Sequence, residues 1–211
     1  MPYPARLLVL LAVVAIALSL ALFARSHAYR GPLTEAPSWD PHTDPARIVE
    51  EARKLTGILY DPIQGYFHNI GGRLGFIVCM DVPVLAYSNA GSSIKRLLET
   101  DYAAHPEYYG KKDGRPGDPY FHRRARNLYS YCKANACLHM EGPPRPADVV
   151  FMSRSKDGWI THIALVTEVS PDGGYKVVEA SRDEWYLTRE EPAERMFRRG
   201  WLFRGFGRPL G

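Results

Sequence analysis

Apolar and polar residues change their period twice along this chain. From Leu7 to Ala24, 18 consecutive residues carry no charge, with Arg6 before them and Arg25 after. A helix apolar all round has no face to offer solvent, so residues 1–28 read as an export signal or membrane anchor outside the fold. The run is longer than the roughly 7 to 15 residues of a usual signal core and sits at the lower limit of about 17 to 25 for a spanning helix. Ser26-His27-Ala28 offers the small residues of a cleavage site, so cleavage and retention are both open. Residues 29–45 carry Pro32, Pro37, Pro41 and Pro45 and read as an extended linker to a folded domain over 46–211.

Helical spacing then takes over. Asp44 offers an N-cap, Pro45 suits the first helical position, Ile48, Ala52 and Leu55 share a face, and Gly57 ends the run. Tyr60 to Gly75, with Pro62, Gly65, Gly71 and Gly72, has the composition of a loop bordering a cleft. Phe76-Ile77-Val78 is strand-like and gives way at Cys79 to a helix reaching Asn89 or Gly91. Pro83 is tolerated only in a first turn, which fixes the helix start near Cys79. Further helices are expected over Ser92–Ala104 and His122–Ala136, separated by a Gly/Pro-rich loop from Pro106 to Pro119. Beyond that the period falls to two, predicting strands over Asp148–Arg154, Ile160–Val169, Tyr175–Arg182 and Trp201–Phe206. Helices followed by a meandering sheet define an α+β fold, N-terminal helices packed on a C-terminal antiparallel sheet.

Ser170-Pro171-Asp172-Gly173 carries turn chemistry and joins the middle two strands as a hairpin. With Pro171 and Asp172 at the tip, Ala164 pairs with Glu179 and His162 with Ser181, leaving His162 and Glu179 diagonal neighbours on one face. Only a loop of odd length or a bulge separates them.

The formal net charge is +4, with 27 basic residues interleaved among 23 acidic ones. No basic stripe marks a nucleic-acid partner, and a mild affinity for anionic envelope polymers or lipid headgroups is the expectation. The three cysteines are Cys79, Cys132 and Cys137. The last two are close enough in sequence to be bridged in an oxidising compartment, or to remain two free thiols, and either way Cys79 is left over. The histidines and cysteines have no zinc spacing, so neither metal nor cofactor is expected.

A thiol at a helix N-terminus meets unpaired N–H groups and a partial positive charge, conditions that favour the thiolate. A histidine far off in sequence that reaches it completes the requirement for thiol-based acyl transfer. Cys79 is therefore the candidate nucleophile, His162 the acid–base and Glu179 its orienter, with Asp81 the rival carboxylate. His122, Arg123 and Arg124 form a candidate edge for gripping a substrate carboxylate, with Asp81 and Ser181 beside the site. Each piece also has a plainer role: a small core cysteine, a satisfied strand histidine, a solvated glutamate, a solvated helix start.

The order of Cys at a helix start, then His162-Ile163-Ala164-Leu165-Val166, then Val177-Val178-Glu179-Ala180-Ser181, resembles the NlpC-type branch of papain-like enzymes. Val78-Cys79-Met80-Asp81-Val82, His122-Arg123-Arg124 with Asn127-Leu128, and Pro146-Ala147-Asp148-Val149-Val150 more closely resemble the exported bacterial domain-of-unknown-function family 1287, over roughly Ile48 to Arg204. The NlpC resemblance implies a papain-like fold and a cysteine peptidase or amidase acting on bacterial cell-wall peptides. The third position departs from that pattern, since Glu179 stands where His, Asn or Gln is usual. The expectation is thus an exported or membrane-tethered thiol hydrolase outside the cytoplasm, cleaving amide bonds in peptidoglycan peptides. Its rivals are a thiol acyltransferase or lipid hydrolase of the same fold, and a wall-binding module without catalysis.

Overall fold

Asp44 begins the body of the protein as expected: its carboxylate accepts from the Ala46 N–H at 2.9 Å and Pro45 fills the first helical position. The fold, taken from a computed structural model, is described for residues 3–30, 36, 38–61, 75–118, 120–184 and 186–210, with backbone only for 3–10 and 184. Its helices are α1 (Tyr3–Ser26), α2 (Pro45–Arg53), α3 (Asp81–Ala90), α4 (Ile94–Ala104), α5 (Ala125–Ala134) and α6 (Ala193–Arg198). Its strands are β1 (Leu138–His139), β2 (Val149–Ser153), β3 (His162–Val169), β4 (Tyr175–Ala180), β5 (Thr188–Pro192) and β6 (Leu202–Gly207). All six join one antiparallel sheet in the order β1-β6-β2-β3-β4-β5. The architecture is α+β.

Alternation along the strands sends side chains to two cores. Ile163, Leu165, Val178, Ala180, Val149 and Phe151 meet α2, α3, α4 and α5 on one face. Ala164, Val166, Val177, Val150, Met152 and Phe206 meet Ala193 and Met196 of α6 on the other. Each buried Ile, Leu, Val or Phe contributes about 1.5–3 kcal/mol relative to exposure, so both faces resist a register slip. The short β1 and the strand β5 were not expected from periodicity. Thr188-Arg189-Glu190-Glu191-Pro192 is polar and ends in proline, which suits only the sheet edge that it occupies.

One helix differs from its sequence pattern at both ends. The one expected over His122–Ala136 is a single 3₁₀ turn, Phe121–Arg123, followed by α5. Buried Asn127 donates to the carbonyls of Phe121 (2.7 Å) and Asp113 (3.0 Å), pinning the preceding loop onto the helix. At the other end of α5 the Cys137 N–H donates to the Cys132 carbonyl at 2.9 Å around Ala136, whose φ is 56°. That closure brings the third-last helical position against the second residue past the cap, so the two thiols face each other unbridged. Burial pushes Cys132 up, while its hydrogen bond holds Cys137 below the ordinary thiol range.

In the segment expected as a linker, Ala36 and Thr43 are buried and Trp39 stacks on Tyr87 with ring centroids 5.8 Å apart. Pro32 and Pro37 lie outside the described residues, as does the expected cleft-bordering loop from 62 to 74. Among the described residues no helix is long and apolar enough to cross a membrane. From Leu11 to Phe23 the large apolar side chains of α1 are exposed. Just past α1, the His27 carbonyl accepts from the Leu59 N–H and the Tyr29 N–H donates to the Gly75 carbonyl, both at 2.8 Å. A Cβ on Gly75 would stand 2.5 Å from the Tyr29 carbonyl oxygen, so only glycine permits that approach.

Candidate active site

The arm that carries Cys79 is stitched to the sheet through a short segment that periodicity does not reveal. Leu59 bridges antiparallel to Leu187, just before β5, and Tyr60 bridges parallel to Ile77. The Tyr60 N–H donates to Tyr186 at 2.7 Å and the Asp61 N–H to Ile77 at 2.8 Å. Residues 75–78 are thereby registered against β5, and Cys79 follows directly.

Cys79 does not open the helix as expected. It lies in a turn closed by the Asp81 N–H donating to the Val78 carbonyl at 2.9 Å, with buried Met80 at the N-cap and α3 starting at Asp81. Pro83 falls in the first turn, as its missing N–H requires. Asp81 holds the turn from below: its Oδ2 accepts from the Val78 N–H at 2.8 Å, and Arg123 forks onto both carboxylate oxygens at 2.7 and 2.5 Å. Cys79 itself is half-buried against the helical core.

His162 is the first residue of β3, and Ser181 follows the last residue of β4, so both stand at one end of the sheet. The register here is the expected one, Leu165 against Val178 and Val166 against Val177, but it is reached by an unexpected route. The tip is odd: the Ser170 N–H donates to the Gly174 carbonyl, enclosing three residues, and Gly173 takes φ 86°. Nearest the tip, Val169 pairs with Tyr175 and Glu168 with Lys176, a register that would put His162 and Glu179 on opposite faces. A bulge at Thr167 takes up one residue and restores the shared face.

On that face, His162 Nε2 and Glu179 Oε2 are hydrogen-bonded at 2.5 Å, both side chains buried. The Cys79 thiol lines the same cleft as the imidazole and acts on it electrostatically. Trp201 stacks on the ring with centroids 4.4 Å apart. Burial, the largest influence, pulls the imidazole down, yet Cys79 and then Glu179 outweigh it and raise its pKa to about 10. Glu179 sits behind it with Oε1 accepting from Arg199 Nη2 at 2.6 Å, and Arg199 also binds Glu191. Burial works against the Glu179 carboxylate, but His162, with help from Arg199, holds it below its ordinary range. Glu191 moves the other way, raised by burial and by the adjacent Glu179.

Cys79 and His162 line a cleft of about 300 Å³ together with Tyr60, Ser181, Arg182 and Trp201. Burial pushes the Tyr60 phenol well above its ordinary range, and Cys79 adds in the same direction. Ser181 is a cleft residue as expected, and its Oγ accepts from the Asp183 N–H at 3.1 Å. The other expected substrate-binding residues are not in the cleft lining. Asp81 and Arg123 are consumed by each other, Arg124 is exposed over the Tyr120 ring at 5.4 Å, and His122 is half-buried in the 3₁₀ turn. Arginine runs look alike in sequence whether they grip substrate or a neighbouring carboxylate, and here a partner two residues before the α3 proline took the best placed one. Arg199, Trp201, Tyr60 and Arg182 escaped the sequence reading. Arg199 lies in Arg195-Met196-Phe197-Arg198-Arg199, indistinguishable from a solvated helix face, whereas Trp201 at a strand start was the available cue.

A buried imidazole between a thiol and a carboxylate, at the junction of a helical layer and an antiparallel sheet, gives the chain its class: an α+β domain with a Cys-His-Glu constellation. The family model described as Domain of unknown function (DUF1287) matches residues 71–188, more than half of the chain, and the chain belongs to that family. The matched stretch includes Cys79, His162, Glu179 and Ser181 and ends before Arg199 and Trp201. No curated protein and no solved structure matches the chain.

Proposed function

We propose that this protein is a cysteine peptidase or amidase of the papain-like, NlpC type, working outside the cytoplasm on amide bonds of cell-wall peptides. The observation that carries the reading is the His162 imidazole, buried between the Cys79 thiol and the Glu179 carboxylate at 2.5 Å. Cys79 passes its proton to His162 and its sulfur attacks the amide carbonyl; the C–N bond then breaks as His162 protonates the leaving amine. Water, deprotonated by His162, cleaves the thioester and restores the thiol. Glu179 fixes the tautomer that leaves Nδ1 free for this traffic and stabilises the imidazolium. The substrate class rests on the NlpC resemblance and on the apolar N-terminal run.

The test is release of soluble peptides from purified bacterial wall material. Cys79→Ala is expected to abolish release with the circular dichroism spectrum unchanged; release at the native rate by the variant refutes the assignment. A second reading, a thiol acyltransferase or lipid hydrolase, draws on an apolar cavity of about 560 Å³. Tyr175, Phe197, Leu202, Phe203 and Phe206 line it, and it shares Trp201 with the cleft. An iodoacetamide-sensitive activity on phospholipid, absent on wall peptides, would favour that reading.

A further inference from the structure

Of the charged side chains that line the cleft, one has no partner among the described residues. Arg154 forms an ion pair with Asp183 and lies over the Trp201 ring at 4.4 Å, so its charge and its flat face are both engaged. Glu179 is met by Arg199, and the Cys79–His162 pair exchanges a proton without changing its total charge. Tyr60 stays neutral at physiological pH, since burial pushes its phenol up. Arg182 remains. It is exposed, lines the same cleft as Cys79, and has no hydrogen-bond or ion-pair partner among the described residues.

Its position is built rather than incidental. Arg182 opens the 3₁₀ turn Arg182–Glu184 straight after β4, and Ser181, buried beneath, fixes that turn through the Asp183 N–H. Arg182 and Cys79 line one cleft of about 300 Å³ and both act electrostatically on Tyr60 between them in the lining, and charges that close are only partly screened at physiological salt, where the Debye length is about 8 Å. A guanidinium is suited to a carboxylate because its planar donors match the two oxygens.

We infer that Arg182 is the specificity-determining residue of the cleft, pairing with a carboxylate on the peptide beside the amide that Cys79 attacks. The inference rests on the hydrolase reading and supplies the carboxylate grip that Arg123 and Arg124 do not. The substrate class becomes a peptide with a free carboxylate close to the scissile bond, and amidation of that carboxylate weakens binding.

Alkylation of the full-length protein tests it without a known substrate. Iodoacetate carries a carboxylate and iodoacetamide a neutral amide of similar size, and with either the thiolate displaces iodide to form an S–CH₂ bond. The ratio of their rates at Cys79, followed by mass spectrometry, reports the charge beside the sulfur. Arg182→Gln is expected to lower the iodoacetate-to-iodoacetamide ratio by about three- to tenfold. Arg182→Lys is expected to keep most of it, and the iodoacetamide rate, which checks the fold and the thiol, is expected to stay unchanged. An equal ratio in wild type and Arg182→Gln overturns the inference while leaving the hydrolase reading intact. If Cys79 alkylates no faster than Cys132 or Cys137, the hydrolase reading fails and the inference falls with it.

Discussion

Asp81 and Glu179 are both buried or nearly so and both held by an arginine, Asp81 two residues after Cys79 and Glu179 hydrogen-bonded to His162, yet they are used differently. Arg123 takes both oxygens of Asp81, and the Val78 N–H takes what is left of Oδ2. Arg199 meets Glu179 at Oε1, leaving Oε2 for His162. The guanidinium's angle of approach thus decides the role: side-on, it consumes a carboxylate and makes a brace; end-on, it leaves an acceptor that orients an imidazole. Two carboxylates that looked interchangeable in sequence are thereby separated by their hydrogen bonds.

The sharpest way to break this contrast is to neutralise each carboxylate in turn. Glu179→Gln is expected to cut turnover by about 10²–10⁴-fold, the scale on which an orienting carboxylate acts. Asp81→Asn is expected instead to leave a buried Arg123 underpaired and lower stability by about 3 kcal/mol in denaturant unfolding, with the turnover of folded protein within about tenfold of wild type. Loss of turnover in Asp81→Asn without loss of stability would erase the distinction.

Titration sharpens it further. His162 holds its proton to about pH 10 when folded and loses it near its ordinary value of 6.5 when unfolded. Its stabilising contribution is therefore complete below about pH 6.5 and disappears as pH climbs to about 10. Melting temperature is expected to fall across that window, and Cys79→Ala, which removes the main partner that raises the imidazole, is expected to flatten the fall. Asp81→Asn should leave the slope alone. Smaller still, Trp201→Leu removes the ring stacked on His162 and should weaken the imidazolium by about 1 kcal/mol, seen as a lower His162 titration point by NMR.

What the sequence revealed follows from which forces are local. Asp44 with Pro45 announced α2, Pro83 bounded the start of α3, and alternation from Ile163 to Val166 announced a buried strand, because capping, proline sterics and pleat act within a few residues. His162 and Glu179 share a face as the expected even tip would have it, yet they do so through an odd tip and a compensating bulge at Thr167 that no local signal announced. What stayed hidden was non-local. Arg199 reaches Glu179 across 20 residues and Arg123 reaches Asp81 across 42, and nothing in either arginine's neighbours announces its partner. The bridges of Leu59 and Tyr60 to Leu187 and Ile77 are single pairs, too short for any periodic signal.

The Thr167 bulge carries a consequence for how this hairpin can change over generations. Exposed turn tips ordinarily accept gained or lost residues at little cost. Here the three-residue tip and the single extra residue at Thr167 cancel, so shortening or lengthening the tip by one, alone, swings Glu179 to the far side of the sheet from His162. Viable relatives should therefore show indels at the tip only when matched by a second one between the tip and Val166, a coupled length constraint on a surface loop far from any substrate.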